Sequence, residues 1–174
     1  MTDYVDTVAD LVIRVVSPDK NIMVRIHHGL EMDFSFRDNA YDNYHADSLG
    51  RQIEGLGTLM WTGYDRAHSR VYRESMEGNG ARFVPTTDPD RIKFGELRQN
   101  ITADAESPNG WIRLGAKGMM RWRARVHEVV PDQVDEDRFT RELADAFRAV
   151  IRANRVKLDK LRAAYPDRLD RVEL

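Results

Sequence analysis

Cysteine is absent from all 174 residues of the chain, which excludes disulfides, thiol catalysis and cysteine-ligated metal sites. No apolar run approaches the ~20 residues needed to cross a bilayer. The opening MTDYVDTVAD is acidic and lacks a charged-then-apolar leader pattern, so a cytoplasmic protein is expected. No HExxH helix, nucleophile elbow, phosphate-binding glycine loop or dinucleotide fingerprint occurs. Carboxylates are plentiful, but no pair is marked as a buried acid–base couple. The chain therefore reads as a non-enzyme without a cofactor. Nor do its 5 histidines suggest a metal. His27 and His28 are adjacent at a strand end, where alternation sends neighbours to opposite faces. His45, His68 and His127 show no ligand spacing.

What is present is an ordinary globular composition, 41% hydrophobic and 32% charged. Lysine is scarce, 5 against 22 Arg. The net charge of −2 hides an asymmetry: residues 1–90 carry 9 basic and 15 acidic side chains, residues 91–174 carry 18 and 14. A net charge near zero argues against a surface that coats polyanions everywhere, but leaves room for one basic face.

Sliding the chain on itself by 90 residues exposes an internal repeat. Ser17-Pro18-Asp19 returns as Ser107-Pro108-Asn109, Ile22 falls on Ile112, and Val24 falls on Leu114. Leu49, Ile53, Leu56 and Met60 fall on Phe139, Leu143, Ala146 and Val150. The expected fold is α+β: two tandem β-β-β-α units of antiparallel strands, each with one long helix, able to form a pseudo-dimer. Unit 1 spans residues 1–77 and is acidic, 78–96 is a Gly- and Pro-containing linker, and unit 2 spans 97–174 and is basic.

Within each unit the strands follow from composition and period. Leu11–Val16 and Ile101–Glu106 are first strands. The Ser-Pro-Asp/Asn triplet is a turn, because Pro presets φ and Asp or Asn accepts backbone hydrogen bonds. Asn21–His27 with Leu30–Arg37, and Trp111–Lys117 with Met120–His127, alternate with the period of half-buried strands. Trp122 is placed inward with Met120 and Ala124, whereas Trp111 shares the parity of Arg113. Asp47 and Asp135 are expected N-caps of the two helices. Gly57 occupies the place of Phe147, and one expectation is that Phe147 fills space that Gly57 leaves across a pseudo-twofold.

Candidate functional residues come from comparing the third strands. Their outward positions are Glu31, Asp33 and Ser35 in unit 1, but Arg121, Arg123 and Arg125 in unit 2. Arg113 and Lys117 project to the same side, so five cations share one sheet face. On the second helix Arg141, Arg148, Arg152, Arg155 and Arg162 form a stripe opposite the apolar face, interrupted by Asp145 and Asp159, which are spaced for i,i+3 or i,i+4 pairing. Such faces suit a polyanion or an acidic protein surface.

The triplet turns, the strand–Gly–strand hairpins 22–36 and 111–126, and the helices opening at Asp47 and Asp135 resemble the YbaB/EbfC family of nucleoid-associated proteins. The resemblance implies a small dimeric α+β fold that binds duplex DNA with little sequence specificity. Arg113, Lys117, Arg121, Arg123, Arg125, Arg148, Arg152 and Arg155 would then contact phosphates, and localisation would be cytoplasmic, in the nucleoid. The chain departs from the family pattern in fusing two units, in lacking the helix before the strands of unit 1, and in the acidity of that unit. Relatives of this type beside actinobacterial secretion systems imply the other reading, a protein–protein interaction module or chaperone-like adaptor without DNA binding. A homodimer is compatible with either.

Overall fold

The computed structural model describes residues 11–78 and 87–165. Two three-stranded antiparallel sheets form, β1(Ile13–Val16)–β2(Ile22–His27)–β3(Glu31–Phe36) and β4(Thr102–Glu106)–β5(Ile112–Lys117)–β6(Arg121–Val126). Alternation dictates their faces: Ile22, Val24 and Ile26 are buried while Met23 and Arg25 are exposed. Pairings recur 90 residues apart. Ile13↔Ile26, Val15↔Val24 and Ile22↔Phe36 are matched by Ala103↔Ala116, Ala105↔Leu114 and Ile112↔Val126.

The triplet turns are built alike. Ser17 N–H donates to Ile22 O at 2.8 Å, and Ile22 N–H donates back to Ser17 Oγ at 2.9 Å. Ser107 and Ile112 repeat both bonds, at 2.8 and 3.2 Å. Each turn closes on a left-handed residue, Lys20 at φ 66° and Gly110 at φ 69°.

Four helices complete the described residues: α1(Ala46–Gly78), α2(Pro89–Gln99), α3(Val130–Gln133) and α4(Glu136–Ala163). Leu49, Ile53, Leu56 and Met60 on α1, with Phe139, Leu143, Phe147 and Val150 on α4, share one core with both sheets. Each such side chain, fully buried, contributes roughly 1.5–3 kcal/mol. Asp135 caps α4, its Oδ1 accepting from Arg138 N at 2.8 Å. Asp47 does not cap α1. That helix opens one residue earlier, at Ala46, with Ser48 Oγ accepting the His45 N–H at 3.0 Å. Asp47 sits in the first turn, where the helix dipole favours it.

Both long helices cross between sheets. α1 packs on β1 and on β6, and α4 packs on β4, β5 and β3. The crossing covers strand edges that would otherwise carry free backbone groups. Glu54 on α1 accepts the Ala124 N–H of β6 at 3.0 Å, and Glu136 on α4 accepts the Phe36 N–H of β3 at 3.2 Å. Tyr41, in a 3-10 turn after β3, donates its hydroxyl to Val134 O at 2.9 Å, tying the two halves again.

The glycines of α1 serve this close approach. A Cβ on Gly50 would lie 3.2 Å from Ala124 O, and one on Gly57 would lie 2.7 Å from the Trp122 ring. The space left by Gly57 is therefore taken by Trp122, and not by Phe147 as expected. Phe147 packs on Trp122 at 5.1 Å between ring centroids and stacks on Phe34 at 5.5 Å.

Two further expectations change. Residues 79–86 of the expected linker lie outside the described residues, but its end is helical: Asp88 caps α2 by accepting from Asp90 N at 2.9 Å, and Pro89 occupies the first turn. Met120, expected inward, is 48% exposed, and Met119 is buried instead. Gly118 and Met119 both have positive φ, 58° and 59°, and this turn shifts the parity before β6 begins.

Candidate functional site

The outer face of the second sheet assembles the predicted cations. Arg113 stands opposite Arg125 and Lys117 opposite Arg121, while Arg123 stands opposite Gly115. All five are exposed. Like charges directly across a strand pair are destabilising, so this arrangement opposes folding.

Relief comes from β4, whose outward residues Asp104 and Glu106 the comparison of third strands had passed over. Glu106 binds Arg113, accepting from Nε at 2.6 Å and also from Nη2. Asp104 leans over Gly115, its Oδ1 2.5 Å from where a Cβ would stand. The alternation of Thr102, Asp104 and Glu106 carried the signal for this acidic row. Among the described residues, Lys117, Arg121, Arg123 and Arg125 form no ion pair. The sheet face thus grades from acid on β4 to unpaired cations on β6.

The α4 stripe is a separate group. Arg148 Nη2 binds Asp145 at 2.7 Å and Arg162 binds Asp159 at 3.5 Å, both at the i,i+3 spacing. Arg152 donates to Arg148 O at 3.5 Å. Arg141, Arg152 and Arg155 are exposed. α4 packs its apolar face on β4, β5 and β3, so its arginines and the cations on the outer sheet face form two separate groups. Trp111 is no open platform: it is half-buried, and the Arg138 guanidinium lies 4.7 Å above its ring. Trp122 is buried, as expected, with Nε1–H donating to Met119 O at 2.8 Å.

The first sheet's outer face is different in kind. Arg14, Arg25 and Asp33 form one cross-strand row, and Val16, Met23 and Ser35 form the next. Val16 is 41% exposed and Met23 is 49% exposed. At the hairpin tip His27 and His28 do not diverge: their Nδ1 atoms lie 2.8 Å apart. His28 has φ 43°, so strand alternation ends at His27.

Among the described residues no helix is long and apolar enough to cross a membrane. Comparison with protein-family models, with curated proteins and with solved structures gives no match to this chain.

Proposed function

We propose that the chain binds duplex DNA through its phosphates, with little sequence specificity, using the outer face of β5 and β6. One observation carries this reading: Lys117, Arg121, Arg123 and Arg125 are exposed on adjacent strands without an acidic partner among the described residues. Successive cations on β6 are about 7 Å apart by strand geometry, and duplex DNA offers one charge per ~1.7 Å of axis. Folding alone does not call for such a cluster, whereas a polyanion relieves its repulsion. Contacts of this kind set affinity and orientation, not base choice.

The resemblance to nucleoid-associated proteins supports the same reading. The order β-β-β-α occurs twice, and α2 supplies a helix immediately before the second sheet. In this reading the two units act as one fused YbaB-like pair, since α1 and α4 each pack on the other unit's sheet. Of the eight residues expected to contact phosphate, Arg113 and Arg148 already hold carboxylates. Arg152 and Arg155 would make a second, separate contact. The test is fluorescence anisotropy of labelled duplex at about 50 and 200 mM salt. Wild type should bind at low salt and weaken steeply, and Arg121→Glu/Arg123→Glu/Arg125→Glu should not bind. No binding by wild type at low salt removes the proposal.

A second reading rests on the exposed cross-strand pair Val16 and Met23, beside the row of Arg14, Arg25 and Asp33. An apolar spot rimmed by charges of both signs suits a protein partner. It predicts that Met23→Glu abolishes partner binding and leaves DNA binding unchanged.

A further inference from the structure

The tip of the first hairpin gathers ligand atoms of three residues. The nitrogen donors of His27 and His28 and a carboxylate oxygen of Glu31 all lie within 4.8 Å of one another. The two Nδ1 atoms are 2.8 Å apart, and His27 Nδ1 is 4.0 Å from Glu31 Oε2. On its far side, His27 Nε2 is 2.7 Å from Asp33 Oδ2.

That last contact determines the chemistry. With Nε2–H donating to Asp33, the His27 Nδ1 lone pair is directed at the cluster. An imidazole held by a carboxylate through its other nitrogen is the arrangement that orients metal-bound histidines and raises their basicity. In the tautomer with the proton on His28 Nδ1, that N–H donates to His27 Nδ1, and a metal would replace this proton by drawing on both nitrogen lone pairs from off the N–N line. Two imidazoles and a carboxylate suit a borderline divalent ion, Zn²⁺ or Ni²⁺ or Cu²⁺, more than Mg²⁺ or Ca²⁺.

The hairpin does not need these residues in order to turn. Ninety positions on, Lys117, Gly118, Arg121 and Arg123 occupy the places of His27, His28, Glu31 and Asp33. There the turn closes with the same positive φ at both central positions, on Gly118 and Met119. His28 accepts a left-handed backbone that a glycine adopts at less cost. Turn formation thus leaves the identity of these four side chains unexplained.

We infer that His27, His28 and Glu31 bind one divalent transition-metal ion, with Asp33 orienting His27 from behind. Three protein donors leave a coordination position for water or an incoming ligand. The inference is independent of the DNA reading, because the two surfaces lie on different sheets.

The experiment is calorimetric titration of ZnCl₂ into the chelator-treated full chain in a non-coordinating buffer. One ion per chain is expected, with Kd of the order of 10 μM. His28→Ala should weaken binding more than tenfold, His127→Ala should leave it unchanged, and Asp33→Asn should weaken it about 10–100-fold. A bare histidine pair would not respond to Asp33→Asn, so an unchanged Kd in that variant overturns the assignment. So does the absence of saturable binding below about 100 μM. A measurement on wild type alone guards against misfolded variants: substoichiometric Cu²⁺ should broaden the amide resonances of residues 26–33 first. Broadening centred elsewhere also overturns the site.

Discussion

Glu142 Oε2 accepts the backbone N–H of Asn109 at 3.0 Å, while its Oε1 accepts the side-chain amide of the same residue at 2.5 Å. Ninety positions earlier, Asp19 N–H donates to Gln52 Oε1 at 3.1 Å. The acid and the amide have changed places: Asp19 with Gln52 in one turn, Asn109 with Glu142 in the other. Each turn keeps one carboxylate and one amide, so a single exchange should break what a double exchange restores. Asn109→Asp sets two carboxylates together beside a 6%-exposed Glu142 and should cost about 2–3 kcal/mol at neutral pH. Adding Glu142→Gln should recover stability to within about 1 kcal/mol of wild type. Urea denaturation measures both, and a double variant no better than the single one would show the pair uncoupled.

Asp19 gives the first turn a pH dependence. Burial pushes the Asp19 carboxyl up, but hydrogen bonds from Ser17, Tyr44 and the Asn21 N–H outweigh it and hold the group below the usual carboxylate range. A depressed folded value means stability is present above the unfolded pKa of ~3.9 and is lost as pH falls through the folded one. The side chain is largely exposed, so the contribution is discounted to about 1 kcal/mol. Asp19→Asn should be less stable than wild type at pH 7, with the gap closing as pH falls below the unfolded carboxylate value. A gap that persists at acid pH would assign the loss to geometry and not to charge.

Much of this architecture could be read in advance because it rests on local patterns. Ile22, Val24 and Ile26 announce a strand by their alternation, and Phe139, Leu143 and Phe147 announce a helix by their spacing. What escaped depended on backbone conformation or on distant partners. Positive φ at Gly118–Met119 reversed the parity of Met119 and Met120, and at His28 it brought two imidazoles together. α2 buries no residue, so no apolar stripe marked it, although Asp88-Pro89 is an N-terminal signal. That α1 would lie on β6 follows from no local rule. Its glycines were the trace of that packing, and they read equally well as a weak helix.

Gly57 tests that packing directly. Replacing glycine inside a helix ordinarily gains up to about 1 kcal/mol. Here a Cβ would stand 2.7 Å from the Trp122 ring, and the ring is held by Phe147 and by its own bond to Met119 O. Gly57→Leu should cost about 3 kcal/mol by overpacking. Trp122→Ala alone should also destabilise, but Gly57→Leu in that background should cost far less or stabilise. Thermal melts of the four proteins complete the cycle.

Lys20 occupies the left-handed position that Gly110 fills in the second turn, φ 66° against 69°. Its side chain is exposed, so removing it forfeits little packing. Lys20→Gly should therefore stabilise by about 0.5–1 kcal/mol, and Gly110→Ala should destabilise by about 1 kcal/mol. No change in either variant would mean that the left-handed backbone costs these turns nothing.

The salt dependence of DNA binding distinguishes a few organised phosphate contacts from diffuse attraction. If Lys117, Arg121, Arg123 and Arg125 each neutralise one phosphate, log K should fall with log salt at a slope of about −3.6. Reversing Arg121, Arg123 and Arg125 removes three contacts and adds repulsion, so the slope should shrink by at least about 2.7 if any binding remains. Arg148→Glu/Arg152→Glu/Arg155→Glu, on the separate α4 stripe, should change the slope by less, since Arg148 already binds Asp145. Equal loss in both triple variants would place helix and sheet against one duplex. Loss in the helix variant alone would move the contact surface to α4 and leave the β6 arginines to a different partner.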